Sequence, residues 1–154
     1  MKLGESKEDY LEAMYILKRQ KGYVRNFLLS NYLNYSKASV SVAIRGLLAD
    51  GYVIKDEHGY IELTAEGKKI AKKVYARHLL LEEFLELIGV SPETANHDAC
   101  RMEHTISEES FRKIQELVKK IKKENASNEQ MQLTNQIKNR KGGGEISLPF
   151  LFKK

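Results

Sequence analysis

Apolar residues recur at helical spacing along most of this chain. Tyr10, Ala13, Met14 and Leu17 fall at i, i+3, i+4 and i+7, which predicts a helix over 5–20, with Ser6 as its N-cap and Gly22 as its stop. The run FLLSNYL predicts a short helix over about 26–33. A turn at Asn34-Tyr35 follows, and Ser36 caps a second helix reaching about Ala49, with Val40, Ile44, Leu47 and Leu48 facing inward. Gly51 stands where a helix end calls for a left-handed residue. The pattern then changes. Two short extended runs, Tyr52–Lys55 and Tyr60–Leu63, flank Glu57-His58-Gly59 and read as a hairpin.

Helical spacing returns after Thr64, the expected cap of a long helix over 65–88 striped by Ile70, Val74, Leu81, Leu85 and Ile88 and ended by Gly89. Ser91-Pro92-Glu93 places a cap, a proline at the first position and an acid in the first turn, so it starts a further helix to about Thr105. Ser107-Glu108-Glu109 opens a last one to about Lys123, with Phe111, Ile114, Leu117 and Val118 inward. From Glu124 the chain is rich in Asn and Gln and carries a Gly142-Gly143-Gly144 run. It is expected to be partly helical near 126–138 and disordered beyond. The pattern gives no account of the apolar end Leu148–Phe152, and there is no internal repeat. The fold class is therefore mainly α: an N-terminal winged helix-turn-helix over 1–64, an all-helical domain over 65–123, and a tail over 124–154.

Composition narrows the function. Of 154 residues, 42% are hydrophobic, enough for a core, yet the apolar runs are short and none predicts a membrane span. The polar start MKLGESKEDY lacks a secretory signal, which points to the cytoplasm. A net charge of +5 suits a nucleic-acid partner, because lysines and arginines displace counterions from phosphates. A lone cysteine, Cys100, has no partner for an internal disulfide.

Two helices joined by a tight turn and followed by a hairpin form the pattern of a winged helix-turn-helix. Its second helix enters the major groove with its N-terminal residues nearest the bases. Those residues are Ser36, Lys37, Ala38, Ser39, Ser41 and Val42. Lys37 and Arg45 reach phosphates or guanine edges, Ala38 and Val42 suit thymine methyls, and Lys55 sets the wing on the backbone. The plainer reading makes Ser36 only a cap and the two cations only solvated surface.

A second constellation concerns metal. Cys100, Glu103 and His104 stand at i, i+3 and i+4 on one face of a predicted helix, and thiol, carboxylate and imidazole together suit a divalent transition metal. Asp9 and Glu12 are spaced i, i+3 on the first helix, His78 and Glu82 are spaced i, i+4 on the long helix, and His97 lies one turn before Cys100. Singly, each has a structural alternative: Ser6-x-x-Asp9 reads as a capping box, His78-Glu82 as a surface pair, Cys100 as a small buried residue.

The stretches KEDYLEAMYIL, SKASVSVAIRGLLADGYV, GYIELTAEGKKIAKKVYARHLLLEEFL and ACRMEHTIS carry a resemblance, over about residues 5–122, to the diphtheria-toxin-repressor family of metal-dependent regulators, most closely to its short branch, the manganese transport regulators. The resemblance implies a homodimer in which metal binding favours a DNA-binding arrangement of the two winged helices. It also implies that the helical domain serves dimerisation, and that double-stranded DNA is the partner, with no membrane and no small-molecule substrate. The ligands it implies are Asp9, Glu12, His78, Cys100, Glu103 and His104. The chain departs from the family's patterns in a hybrid way. Position 100 is a carboxylate in the manganese pattern and Cys in the iron pattern, whereas Asp9 follows the manganese pattern. Carboxylate and imidazole suit Mn(II), and a thiolate shifts preference towards Fe(II), Co(II) or Zn(II). Glu82 with His78 matches part of a second iron-type site, with His97 one position off the histidine of that pattern. One or two ions per subunit are both open.

The function implied is a metal-dependent repressor reading pseudo-palindromic operators and controlling metal-ion homeostasis. Its alternatives are a metal-independent winged-helix regulator sensing a small organic ligand, a helical interaction domain, and a hydrolytic enzyme. Against the last, the sequence carries no phosphate loop and no nucleophile motif, and no general base is left over.

Overall fold

The computed structural model describes residues 4–142, with side chains through 137. Six helices and one two-stranded sheet follow in the order α1 (Glu5–Lys21), α2 (Asn26–Leu33), α3 (Lys37–Ala49), β1 (Val53–Lys55), β2 (Ile61–Leu63), α4 (Ala65–Leu87), α5 (Pro92–Met102) and α6 (Glu108–Gly142). Met1–Phe111 forms one compact unit and Arg112–Lys154 a second. Among the described residues no helix is long and apolar enough to cross a membrane.

The expected stripe of α1 is buried at Tyr10, Ala13, Met14 and Leu17, with Leu11 fully covered. Gly22 closes the helix in the left-handed region at φ 81°. Its start differs from expectation. Gly4, not Ser6, is the N-cap, and its carbonyl accepts from the Lys7 and Glu8 amides. With Ser6 inside the first turn, the capping box with Asp9 does not form, and Asp9 is left for other partners.

The α2–turn–α3 unit forms as the pattern predicts. Asn34 takes the left-handed turn at φ 54°, and the Ser36 hydroxyl accepts from the Ser39 amide at 3.1 Å. The hairpin pairs Val53 with Leu63 and Lys55 with Ile61, antiparallel. It is tied down in two places. The Ile61 amide donates to the Val24 carbonyl, and Arg25 donates to the His58 carbonyl at 2.8 Å while stacking 4.3 Å from the Tyr60 ring. Leu11, Leu29, Val40, Ile44, Leu47, Val53 and Ile61 thus share one core that joins α1, α2, α3 and the wing. Because Arg25 holds the wing at its turn, Arg25→Ala is expected to leave the fold intact and weaken DNA binding through a looser wing. Faster amide exchange at Glu57–Tyr60 would register that loosening.

Thr64 caps α4 by accepting from the Gly67 amide. The Gly67 backbone lies against the hairpin so closely that a Cβ there would meet the Tyr52 carbonyl oxygen at 2.0 Å. Val74, Leu81 and Leu85 are buried as expected. Ile88 is not: it is 58% exposed, because the helix ends at Leu87 and the chain turns through Gly89 at φ 96°.

Two more boundaries differ. α5 stops at Met102, three residues before the expected end. Glu103 is its C-cap, and the amides of Thr105 and Ile106 both return to the Met102 carbonyl in a tight turn. α6 is one continuous helix to Gly142, where the composition suggested a shorter helix, partial helicity and then disorder from 139. Along it Val118 is buried but Leu117 is 44% exposed, so Leu117 does not share the inward face. The expected disorder from 143 onward and the apolar stretch 148–152 lie outside the described residues.

Candidate metal centre and DNA-reading face

Three segments of the first unit converge on one polar cluster. α1 supplies Glu8, Asp9 and Glu12, α4 supplies His78 and Glu82, and the turn after α5 supplies Glu103 and His104. The turn matters. Glu103 keeps helical backbone at φ −59° and ψ −30°, its amide donating to the Ala99 carbonyl, and with the turn that follows, Glu103 and His104 are left at 3% and 6% exposure. Arg77 holds that turn, donating to the Ile106 carbonyl at 2.7 Å and to Glu108 at 3.0 Å over the Phe111 ring.

Glu103 is the hub. Its Oε2 lies 3.0 Å from His78 Nδ1 and its Oε1 lies 3.1 Å from His104 Nε2. Asp9 Oδ1 is 2.8 Å from the same His104 Nε2, and Glu8 Oε2 is 2.8 Å from His104 Nδ1. Asn96 Nδ2 lies 3.1 Å from His78 Nε2 and donates to Glu82 Oε1 at 3.0 Å. Two sets of ligand atoms fall within 4.8 Å of one another: Asp9, Glu103 and His104, and Glu12, His78 and Glu103.

The charges in this cluster strain against one another. Burial, then the Glu103 carboxylate, raises the Glu12 carboxyl to about 7. Burial also pushes Glu103 up, but hydrogen bonds from His104 and His78 outweigh it and hold Glu103 below the usual carboxylate range. Hydrogen bonding to Asp9, then to Glu103, raises His104 to about 11, and the hydrogen bond to Glu103 raises His78. Glu12 Oε1 is buried with no hydrogen-bond partner. A buried carboxylate oxygen without a donor is costly, and here it faces a second carboxylate and two imidazoles. That donor set, carboxylates and imidazoles around an unserved oxygen, fits a divalent cation.

The other expected metal residues are placed differently. Cys100 is exposed. It lines a cavity of about 540 Å³ together with Asp9, Glu12, His78, Glu82 and Asn96, but belongs to neither tight set. Desolvation, then Glu103, pushes its thiol up to about 11. Glu82 reaches the cluster through Asn96 and stands 3.9 Å from His78. His97 is exposed and touches only the adjacent Asp98 among described contacts.

Glu8, Asn96 and Arg77 were not read from the sequence. Glu8 stands four residues before Glu12, so the i, i+4 rule could have found it, but Asp9 and Glu12 already account for that face. Asn96 is a neutral amide that titratable-residue patterns pass over. Arg77 acts through a carbonyl in a turn that the expected longer α5 concealed.

On the reading face, Lys37, Ala38, Ser39, Val42 and Arg45 are exposed along α3, and Val42 leaves 59% of an apolar side chain in water. Ser36 is spent on its cap. Ser41 turns towards α2, where Asn26 donates to its hydroxyl at 3.2 Å. Lys55 is exposed on β1.

Comparison with known proteins identifies the domains to which these segments belong. Residues 2–61 match the family model for the N-terminal DNA binding domain of iron dependent repressors, and residues 64–132 match that for the iron dependent repressor metal binding and dimerisation domain. The chain is 39% identical over 113 residues to the HTH-type transcriptional regulator MntR of Geobacillus thermodenitrificans, covering 73% of this chain and 80% of that protein. It is 37% identical over 121 residues to the MntR of Bacillus subtilis, covering 79% and 85%. Among solved structures it resembles the manganese regulator SloR at a TM-score of 0.66 and 27% identity, covering 73% of this chain and 53% of that one. The chain thus spans about half the length of that structure.

Proposed function

The chain belongs to the diphtheria-toxin-repressor family of iron-dependent repressors, in its manganese-regulator branch, and we propose that it is a repressor that binds pseudo-palindromic operator DNA as a homodimer when a divalent cation occupies the cluster around Glu103. It is a regulator and not an enzyme. Residues 1–64 read DNA and lend Asp9 and Glu12 to the metal centre, residues 65–123 supply the remaining ligands and dimerise, and α6 carries past that boundary to Gly142. The setting is the cytoplasm, with no membrane partner and no small-molecule substrate, and the role is control of metal-ion homeostasis.

One observation carries the reading: the candidate ligands are divided between α1, whose apolar face is built into the core of the reading unit, and α4 with the α5–α6 turn. Asp9, Glu12, His78, Glu103 and His104 would hold the ion, with Cys100 joining from the cavity rim. Mn(II) or Fe(II) suits the carboxylates and imidazoles, and the thiol extends the range to Co(II) or Zn(II). A bound divalent cation supplies positive charge where Asp9, Glu12 and Glu103 meet. Without it, the Glu12 and Glu103 carboxylates oppose each other where α1 meets the rest of the cluster. With both carboxylates held, α1 sets α3 at one angle, and two subunits present their α3 helices at the spacing of successive major grooves.

The test needs a duplex selected from a random pool in the presence of Mn(II). Its affinity is then measured at one fixed salt concentration with and without Mn(II) or Fe(II). The expected gain is about 10- to 100-fold, the usual size of a coupling between sites. Equal affinities would overturn the proposal. On the same duplex, Lys37→Ala and Arg45→Ala are expected to weaken binding and to flatten the salt dependence by about one ion per lost phosphate contact. Neither should change the affinity for metal.

A pH dependence follows as well. Metal-free, His104 keeps its proton up to about 11 and Glu12 up to about 7. Ligands must lose their protons to bind an ion, so loading releases protons near pH 7 and the apparent metal affinity rises with pH. Titration calorimetry in two buffers of different ionisation enthalpy measures the release. Identical heats in both buffers would contradict this protonation scheme.

A further inference from the structure

We infer that Glu8 is the positioning residue of this centre: its carboxylate accepts a hydrogen bond from His104 Nδ1–H and so presents the opposite ring nitrogen, Nε2, to the ion. The inference rests on the metal-binding role assigned to this cluster. Glu8 Oε2 lies 2.8 Å from His104 Nδ1, while Asp9 Oδ1 and Glu103 Oε1 lie 2.8 and 3.1 Å from Nε2. The two nitrogens of an imidazole point away from each other, so an ion held at Nε2 stands on the far side of the ring from Glu8. Glu8 accordingly falls outside both sets of converging ligand atoms.

Burial makes the arrangement restrictive. The His104 side chain is 3% exposed and that of Glu8 16%. Water is therefore scarce as a substitute acceptor at Nδ1. Consecutive residues of α1 clasp the ring, Glu8 at one nitrogen and Asp9 at the other. Without Glu8 no carboxylate fixes the proton at Nδ1, and turning the ring about its Cβ–Cγ bond, which puts carbon where each nitrogen stood, is no longer opposed from that side. A carboxylate behind a ligating histidine also fixes its tautomer and raises its basicity, and losing such a partner typically weakens metal binding about 10- to 100-fold.

Two variants and two readouts test this. Mn(II) affinity is measured by the electron paramagnetic resonance of the free ion for the wild type, Glu8→Ala and Glu8→Gln. Glutamine keeps an acceptor oxygen at the same reach. The expected result is a loss of about 10- to 100-fold for Glu8→Ala, with most of the affinity kept by Glu8→Gln. The second readout separates positioning from simple tethering of α1. In Zn(II)-loaded protein with ¹⁵N-labelled histidine, two-bond proton–nitrogen correlations should show His104 metallated at Nε2 and protonated at Nδ1. The Nδ1 proton should exchange slowly in the wild type and in Glu8→Gln, and rapidly in Glu8→Ala. Wild-type affinity in a folded Glu8→Ala protein, or a His104 metallated at Nδ1, would overturn the inference while leaving the metal centre standing. Failure of the wild type to bind either ion would overturn the functional reading itself.

Discussion

Glu103→Ala is expected to leave a folded protein whose DNA affinity no longer responds to metal. Glu103 is the one residue common to both converging ligand sets, and it touches His78 and His104 at 3.0 and 3.1 Å. Its removal deletes a ligand from each set and also the group that holds both rings in place. Loss of a partner behind a ligand already weakens metal binding about 10- to 100-fold. Removing the shared ligand should exceed that range, so Mn(II) affinity is expected to fall by about 100-fold or more. DNA binding should then sit at its metal-free level at every Mn(II) concentration. The fold is expected to survive, because the apolar core contains no residue of this cluster except through α1. Far-UV circular dichroism checks the fold, and His104→Ala provides a second route to the same loss. A normal metal response in either variant would show that the ligands lie elsewhere.

Gly67→Ala is expected to cause the largest loss of stability from the smallest change. A Cβ at residue 67 would lie 2.0 Å from the Tyr52 carbonyl oxygen, and the nearby atoms are all backbone. That carbonyl already accepts from the Thr64 amide at 3.0 Å and the Thr64 hydroxyl at 3.1 Å. It therefore cannot withdraw without breaking the cap of α4. Either α4 shifts away from the hairpin or those bonds are lost. Overpacking of this kind costs about 1–3 kcal/mol, occasionally more, against the usual gain of about 1 kcal/mol when alanine replaces glycine inside a helix. The contact is with unyielding backbone, so the cost should fall at the upper end, and thermal or urea unfolding of the variant should show a net loss of about 1–2 kcal/mol. A variant as stable as the wild type would mean that α4 and the hairpin are not in contact at this point.

These two sites differ in how far the sequence discloses them. The repeating apolar positions and the capping serines locate α2, α3 and the hairpin within a residue or two, since Ser36, Gly51 and Thr64 each act through the few residues around them. Glu12, His78, Glu103 and His104 are legible as candidates because the spacing and the family resemblance both select them. Their grouping is not legible from spacing alone. Cys100, Glu103 and His104 share the end of α5, yet only Glu103 and His104 are buried, beside His78, Glu8 and Asp9, while Cys100 stays exposed at the cavity rim. The turn after α5 is met by Arg77 donating to the Ile106 carbonyl, a contact across 29 residues that local patterns do not carry. Gly67 is hidden for the same reason. A glycine inside a helical run reads as a mere weak point until the hairpin backbone is placed against it. Glu8 is hidden because its role is defined by the far side of a histidine ring 96 residues away.

The long α6 is the case where composition misleads. Asn is a poor helix former, and the polar Asn- and Gln-rich run from Glu124 suggests a fraying tail, yet Gln, Glu and Lys favour helix and the helix runs on to Gly142. Propensity is a weak prior that context overrides.

A divalent ion held jointly by α1 and by the α4 and α5–α6 residues is what couples metal to DNA. Anomalous diffraction from crystals grown in Mn(II) tests it most directly. The account predicts a Mn(II) peak ligated by Glu103 together with Asp9 or Glu12 and with His78 or His104. A map with no peak there, or with Asp9 and Glu12 turned away from an ion held by α4 and the turn alone, would contradict it.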